Sequence, residues 1–557
     1  MPSPRQRCRD AGDQSARLAR TDAEIGPELE RPIDAITHGV YLATDVPRIK
    51  ALARSRTRSA MMKDGATQDI WIGIDLGTQS VRAIAATNGG DIIGSGAYPL
   101  SSSRVEKRHE QNPEDWWIAV GHACREMCRT IDAPHRIRGV AVCGTSGTVL
   151  LTDGQRRAVT SALMYDDARA AAECGEANAV GAALWEKLGY QRIQAVWGLP
   201  KLMWLLRKDS GPGERYLSHQ ADFITGRLAG TRLPSDYSNA LKTGCDTVLQ
   251  RWDQAVMEQL GVRDEVLPEL SRSGAQIGAV GAAGAEHTGI PMGTPIVAGM
   301  TDGCASQLSS GATSTGSWNS VLGTTLILKG TSRALLRDPA GVVYSHRSPE
   351  GQWLPGGASS SGAGALARFL PSADLDTLAA EADRRTGPPA LAYPLASTKG
   401  ERFPFIASEA TAFFLRGAPA DPVDIFLAIT LGLASIERLC FDYLDLLGFP
   451  TNGRLSLTGG GSRSRFWNDL RATMLGRELV VPTIAEPAFG MAVLASCLQR
   501  PLDDAVAAMV RIESRHEPQL QRIDSALQAH LHMVDALEAR GWLPRATASH
   551  ARQRVTR

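Results

Sequence analysis

Ile72-Gly73-Ile74-Asp75-Leu76-Gly77-Thr78 is the stretch on which the fold turns. A carboxylate interrupts an apolar, β-branched run over residues 70–86, and Gly-Thr follows it at once. The pattern predicts a strand, a tight turn at Gly77-Thr78-Gln79 and a second strand over residues 81–85. Burying Asp75 in such a strand is costly unless it meets a cation or a set of donors. Two readings are open: a hydrated Mg²⁺ between Asp75 and phosphates, or a turn in which Asp75 caps its own backbone. Further on, Asn88-Gly89-Gly90 offers the positive φ of a second hairpin, and residues 91–98 read as its return strand, stopped by Pro99.

The device recurs. Residues 318–322 read as strand, Gly323-Thr324-Thr325 as turn and residues 326–328 as strand, so each Gly-Thr hairpin opens one α/β half. Between them, residues 114–131 have helical spacing with Pro113 at the first turn. Residues 138–143 form a short apolar strand entering the loop Gly144-Thr145-Ser146-Gly147-Thr148, and residues 149–151 continue as strand. In the second half, a strand over residues 454–458 runs into Gly459-Gly460-Gly461 and then a helical stretch over residues 465–475.

The chain has 557 residues, 43% of them hydrophobic and 21% charged, enough for several domains or two large α/β ones. A formal net charge of +1 sets up no global field for nucleic acid or an anionic membrane. No run approaches the roughly 18 apolar residues of a membrane span; the most apolar late stretch, residues 488–498, is short and carries Gly490. Nine cysteines are scattered without a CxxC pair, and Cys124 and Cys128, one helical turn apart, have no second pair to complete a zinc site. They read as reduced thiols of a cytoplasmic protein. Residues 1–68 interleave arginine with acids and lack a secretory apolar segment, which predicts a disordered N-terminal extension. The Arg-rich C-terminal end reads as a solvated tail.

Phosphoryl transfer from ATP needs a cradle for the phosphates, a carboxylate for Mg²⁺ and a base at the acceptor hydroxyl. Neither GxxxxGK[ST] nor the protein-kinase GxGxxGxV occurs, which leaves two Gly-Thr hairpins as the phosphate-handling elements. Asp302, in Met300-Thr301-Asp302-Gly303-Cys304, follows an apolar strand and precedes a small-residue helix starting around Cys304. It is placed either to take a proton from a substrate hydroxyl or to cap that helix. Ser146 fails the GxSxG spacing of a nucleophile elbow; its loop is a polyol-binding loop or a plain turn. Gly459-Gly460-Gly461, with Trp467 behind it, suits close approach of a nucleotide or is a structural turn. His346 reads as a satisfied structural residue. No GxGxxG opens a βαβ unit at the first strand, which sets aside a dinucleotide redox enzyme.

Taken in order, the Asp75–Thr78 hairpin, His109-Glu110-Gln111-Asn112-Pro113 with Trp116-Trp117, the Thr301-Asp302-Gly303 turn, the Gly323-Thr324-Thr325 hairpin and the Gly459–Gly461 turn resemble the FGGY carbohydrate kinases over residues 69–500. The resemblance implies an α/β protein with two ribonuclease H-like (actin-like ATPase) domains flanking a deep cleft. It implies a sugar-binding domain over residues 69–310, a nucleotide-binding domain over 311–500, C-terminal helices packed on the core over 501–545, and a tail over 546–557. The strings at 144–151, 220–222, 235–242, 343–346, 356–359 and 400–404 look like the D-ribulose kinases, a xylulose kinase-like subgroup. By that resemblance the chain phosphorylates D-ribulose to D-ribulose 5-phosphate with ATP and Mg²⁺. D-xylulose, another ketose or a polyol is the alternative substrate, and a non-catalytic ATP-binding sensor is the alternative class.

The same resemblance implies roles for single residues. Asp302 is the base, Asp75 organises Mg²⁺ and the γ-phosphate, and Thr78 donates to phosphate. Ser146 binds sugar hydroxyls, Gly323 and Thr324 hold the β- and γ-phosphates, and Gly460, Gly461 and Trp467 border the adenosine. Two positions depart from the subgroup: Gly303 replaces a serine after the catalytic aspartate, and Ser464 replaces an asparagine of the adenine loop. The partners implied are a small sugar and ATP, with no nucleic acid and no membrane.

Overall fold

The computed structural model describes residues 68–209, 211–385, 390–415 and 417–555. The expected extension falls on residues 1–67, outside the described residues.

The opening apolar run forms β1 (Ile70–Leu76) and β2 (Ser80–Thr87), antiparallel, with Leu76 opposite Val81 so that the four residues from Gly77 to Ser80 turn the chain. β3 (Ile92–Pro99) extends this meander; Gly90, at φ 79°, supplies the left-handed turn residue. β4 (Ile137–Gly144) then pairs parallel with β1 on its other side. β5 (Gln276–Ala279) and β6 (Pro295–Thr301) complete the sheet in the order β5-β6-β4-β1-β2-β3, with β6 parallel to β4. The helices Pro113–Cys128 and Gln220–Ala229 cover one face, where Trp116, Val120 and Phe223 pack on Ile72 and Ile74.

The second half repeats the plan. β7 (Trp318–Leu322) and β8 (Leu326–Gly330) form the second hairpin, with Leu322 opposite Leu326. β9 (Tyr344–Arg347) and β10 (Trp353–Ala358) extend the meander, and β11 (Leu455–Thr458) and β12 (Leu479–Pro482) add the parallel strands. With β13 (Ile512–His516) at the edge, the order is β9-β10-β8-β7-β11-β12-β13. Each half is thus an antiparallel meander followed by two parallel strands, the α/β, two-unit ribonuclease H-like architecture expected. The long helix Pro422–Leu446 packs against this second sheet within the largest core cluster, among Phe426, Ile429, Leu433 and Ile436.

One element ties the halves together. The helix Pro487–Ser496, inside the apolar stretch that is too short for a membrane, is buried from Ala488 to Ser496. It comes from the second half, yet it seals the other face of the first sheet, packing with Trp71, Ile84, Ala141 and Cys143. Gly73 on β1 makes room: a Cβ there would stand 1.8 Å from the Ala488 carbonyl oxygen. Gly490 does the same toward the helix Asp302–Ser310, where a Cβ would lie 2.0 Å from the Ala305 oxygen. Among the described residues no helix is long and apolar enough to cross a membrane.

The C-terminal region differs from expectation in two places. Residues 501–545 contain the helices Leu502–Met509 and Ile523–Ala539, but also the edge strand β13. Residues 546–555 are no solvated tail: Arg545–Val555 is a helix with Thr547, Ala548 and Ala551 buried. Its arginines have acids to meet, Arg554 on Asp442 at 2.8 Å and Arg552 on Asp535 at 2.7 Å, a pairing no local pattern reveals. The eight described cysteines are free thiols.

Candidate active site

Three parallel strands end side by side. Asp75 on β1 lies opposite Cys143 on β4, and Thr301 on β6 lies opposite Gly144. This brings Asp75, the Gly144–Thr148 loop and the Thr301-Asp302 turn to one edge, the carboxyl ends where open α/β sheets bind ligands.

Asp75 is 7% exposed. Its Oδ1 accepts a hydrogen bond from the Cys143 thiol at 3.4 Å. The Gly77–Ser80 turn closes through its own backbone, Gly77 N–H donating to the Ser80 carbonyl at 3.1 Å, so the turn-cap reading of Asp75 falls away. Burial, and then the negative charge of Asp302, push the Asp75 carboxyl up to about 7; Arg82, opposite it on β2, works the other way. A cation beside this carboxyl would favour its charged form.

Asp302 is not the helix cap either. Thr301 occupies the cap position and Asp302 is the first helical residue, its Oδ1 accepting from the Gly303 N–H at 2.7 Å. Burial raises its pKa from the ordinary carboxylate value, against the pull of that N–H, Lys242 and Lys329. Beside it, no atom stands within 4 Å of where a Gly303 Cβ would be, so the departure at this position leaves open space.

The Ser146 hydroxyl is buried and has no hydrogen-bond partner. Its loop is rigid around it: Thr145 N–H and Oγ1–H both donate to Gln220 Oε1 at 2.8 Å, and Gly147 has φ 93°. Lys242 Nζ donates to the Ser146 carbonyl at 3.2 Å. An unpaired buried hydroxyl on a fixed loop suits a polyol better than a plain turn.

The remaining predicted residues gather on the second sheet. Gly323 and Thr324 form the β7–β8 tip, their carbonyls accepting from Ala363 and Gly364 N–H at 2.9 and 3.1 Å. Gly459, at φ 81°, abuts Leu322, since a Cβ there would meet the Leu322 oxygen at 2.7 Å. A Cβ on Gly461 would meet the Leu322 side chain at the same distance. The triple-glycine turn therefore lies against the strand that delivers Gly323. Ser464 caps the following helix, accepting from Trp467 N–H at 3.4 Å. Trp467 is buried, with an indole N–H that has no partner.

Several residues at this place were not foreseen. His346 on β9, read from sequence as structural, is buried with Nδ1 3.2 Å from Ser238 Oγ, which is itself 3.1 Å from Thr301 Oγ1. Burial, Lys329 and Lys242 hold His346 well below its usual pKa, hence neutral. Lys329, buried on β8, also lowers the Asp302 pKa, so the two sheets meet beside Asp302. Tyr165 lies in the fields of Asp166 and Asp302. Asp166 in turn is 2.5 Å from Nδ1 of the buried His109. The string 235–242 contained Ser238 and Lys242, but nothing local to Lys329 or Tyr165 marks them.

Among the described residues no group of three His, Cys, Asp or Glu is arranged to hold a metal. Asp75 alone fits Mg²⁺ of the kind held by one carboxylate, substrate phosphates and water. The free indole N–H of Trp467 and the paired glycine elements fit a nucleotide.

Residues 70–309 match the model of the FGGY family of carbohydrate kinases, N-terminal domain, and residues 318–498 match its C-terminal domain. Xylulose kinase of Escherichia coli is 25% identical over 476 residues, 81% of this chain and 95% of the relative. Xylulose kinase of Streptomyces rubiginosus is 26% identical over 467 residues, 81% and 92% of the two chains. The solved structure of xylulose kinase from Rhodospirillum rubrum superposes with a TM-score of 0.76 at 23% identity, covering 84% of this chain and 98% of that one.

Proposed function

Since this chain belongs to the FGGY family of carbohydrate kinases, an ATP-using group, we propose that it phosphorylates a ketopentose, xylulose ahead of ribulose. The observation that carries the reading is the meeting of Asp75, Ser146 and Asp302 at adjacent strand ends. The order of the two sugars reverses the expectation from sequence, because xylulose kinases, such as those of Escherichia coli and Streptomyces rubiginosus, are prominent among the relatives aligned over most of their length.

In this reading residues 69–310 form the sugar-binding half and residues 311–500 the nucleotide-binding half. Asp302 accepts the proton of the sugar hydroxyl that receives phosphate; Lys242 and Lys329 favour its ionised, basic form. Ser146 donates to or accepts from a second hydroxyl, satisfying the atom left unpaired in the ligand-free protein. Asp75 holds Mg²⁺, which supplies charge neutralisation at the phosphates. Thr78 donates to phosphate, Gly323 and Thr324 present backbone to the β- and γ-phosphates, and Gly460, Gly461 and Trp467 border the adenosine. A sensor that only bound ATP would have no use for a base with open space beside it.

Ribulose stays as the second reading on one observation. Two of the strings that resemble ribulose kinases, 235–242 and 343–346, converge beside Asp302, where Ser238 Oγ bonds both His346 Nδ1 and Thr301 Oγ1. ADP release measured with Mg²⁺–ATP and D-xylulose, D-ribulose, L-ribulose, ribitol or glycerol separates the readings. The highest kcat/KM is expected for D-xylulose, with D-ribulose next. A D-ribulose preference transfers the assignment to the second reading, and the absence of sugar-stimulated release on all five overturns the ketopentose proposal.

A further inference from the structure

A cavity of about 550 Å³ opens between the helices Pro113–Cys128, Gln220–Ala229 and Ala282–Thr288 and the turn Asp153–Arg157. None of its lining residues is among those gathered at the strand ends. Its walls carry Arg125, Arg156, Arg157 and Arg227, and Glu286 is the one acid among them.

The pairing of these arginines with carboxylates is incomplete. Arg157 is tied to Asp153 at 2.7 Å and Arg227 to Glu114. Arg125 donates only to the His287 carbonyl, and Arg156 has no carboxylate partner among the described residues. The Nε atoms of Arg156 and Arg227 are buried and have no hydrogen-bond partner. Leaving such donors unmet is costly.

The backbone adds a second, independent sign. The turn closes through Arg156 N–H to the Asp153 carbonyl at 2.9 Å and Asp153 N–H to the Arg157 carbonyl at 3.0 Å. This puts Arg156 at φ 64°, in the left-handed region where glycine is the unstrained choice. An arginine stands where glycine would fit more easily, and its side chain forms part of the cavity wall. The opposite wall is the His287 ring stacked on Trp117 at 4.2 Å, with His287 Nε2 2.8 Å from the Trp117 carbonyl. Burial, and then Arg125, His122 and Arg227, hold His287 below its usual pKa, so the local field is positive.

We propose that this cavity binds a small phosphate-bearing anion, gripped by Arg125, Arg156 and the free Nε of Arg227 against the Trp117–His287 stack. Guanidinium groups match phosphate oxygens in geometry as well as charge, and a cavity of this size holds a small metabolite. The site is separate from the transfer of phosphate to sugar and needs no particular sugar.

Pyrophosphate is the probe. It is titrated calorimetrically into the full chain saturated with ADP, so that the nucleotide site is filled. One saturable binding event is expected, weakened at least tenfold in Arg156→Gly and in Arg125→Ala, and strengthened in Glu286→Gln. Arg156→Gly guards against a folding artefact: it should melt at a higher temperature than the parent, because glycine suits the left-handed position, and should phosphorylate sugar at the parent rate. Absence of saturable binding to the ADP-loaded protein overturns the proposal, and so does equal pyrophosphate affinity in the parent and Arg156→Gly, which would place the anion elsewhere.

Discussion

Asp75 holds its proton up to about pH 7 in the ligand-free protein, whereas an unfolded chain releases it near 3.8. The folded state therefore binds more protons between these values, and stability falls as pH rises from about 4 to about 7, then levels. At about 1.4 kcal/mol per pKa unit the loss is on the order of 4 kcal/mol at most. Asp75→Asn should remove it: urea titrations should find the variant equal to the parent near pH 4 and more stable by a few kcal/mol at pH 8, while turnover is lost at both. Asp302→Asn should lower turnover roughly 10²–10⁴-fold, the ordinary worth of a general base. Its ATP affinity, measured by calorimetry, should stay within a few-fold of the parent. Ser146→Ala should raise the KM for sugar about two- to tenfold, one hydrogen bond's worth, with little change in kcat. Both acids were legible as charges placed against apolar strands. That neither serves as a cap was not legible, because it depends on which N–H each carboxylate meets.

At the level of elements, the two Gly-Thr hairpins and the glycine turn at 459–461 announced themselves, since glycine spacing and β-branched runs are local signals. The contacts between them were hidden. Leu322 joins the hairpin tip to the triple-glycine turn across more than a hundred residues. Lys329 and Tyr165 share the electrostatic field of Asp302 only because distant segments come together. Gly490 is the element-scale test: Gly490→Ala places a methyl group against the Ala305 carbonyl of the helix that begins with Asp302. Overpacking of this kind costs about 1–3 kcal/mol. Calorimetry should record a lower melting temperature, and the assay a lower kcat, because the helix that moves carries the base.

For the whole molecule, composition and the absence of a long apolar run gave a multidomain α/β protein, and the repeated hairpin gave its duplication. The C-terminal helix Arg545–Val555 was misread as a tail because arginine-rich sequence is ordinarily solvated. Here Asp442 accepts from Arg554 and sits 2.9 Å from His530 Nε2, both acid and histidine buried. Stopping the chain after Pro544 strips the buried Asp442 of that guanidinium, leaving it His530 and Arg438, and removes the buried Thr547, Ala548 and Ala551 from the core. Thermal unfolding of the truncated protein should show this as a clear drop in the second half's transition.

The helix Pro487–Ser496 has a consequence for how the protein is made. A ribosome completes β6 and releases the first sheet about 180 residues before that helix emerges. At ordinary synthesis rates this is a wait of roughly ten to forty seconds. Throughout it, Trp71, Ile84, Ala141 and Cys143 face solvent on a bare sheet, open to chaperones and to sister chains on the same message. The nascent first half can gather its strands, but it cannot close over them until the helix that begins at Pro487 has emerged.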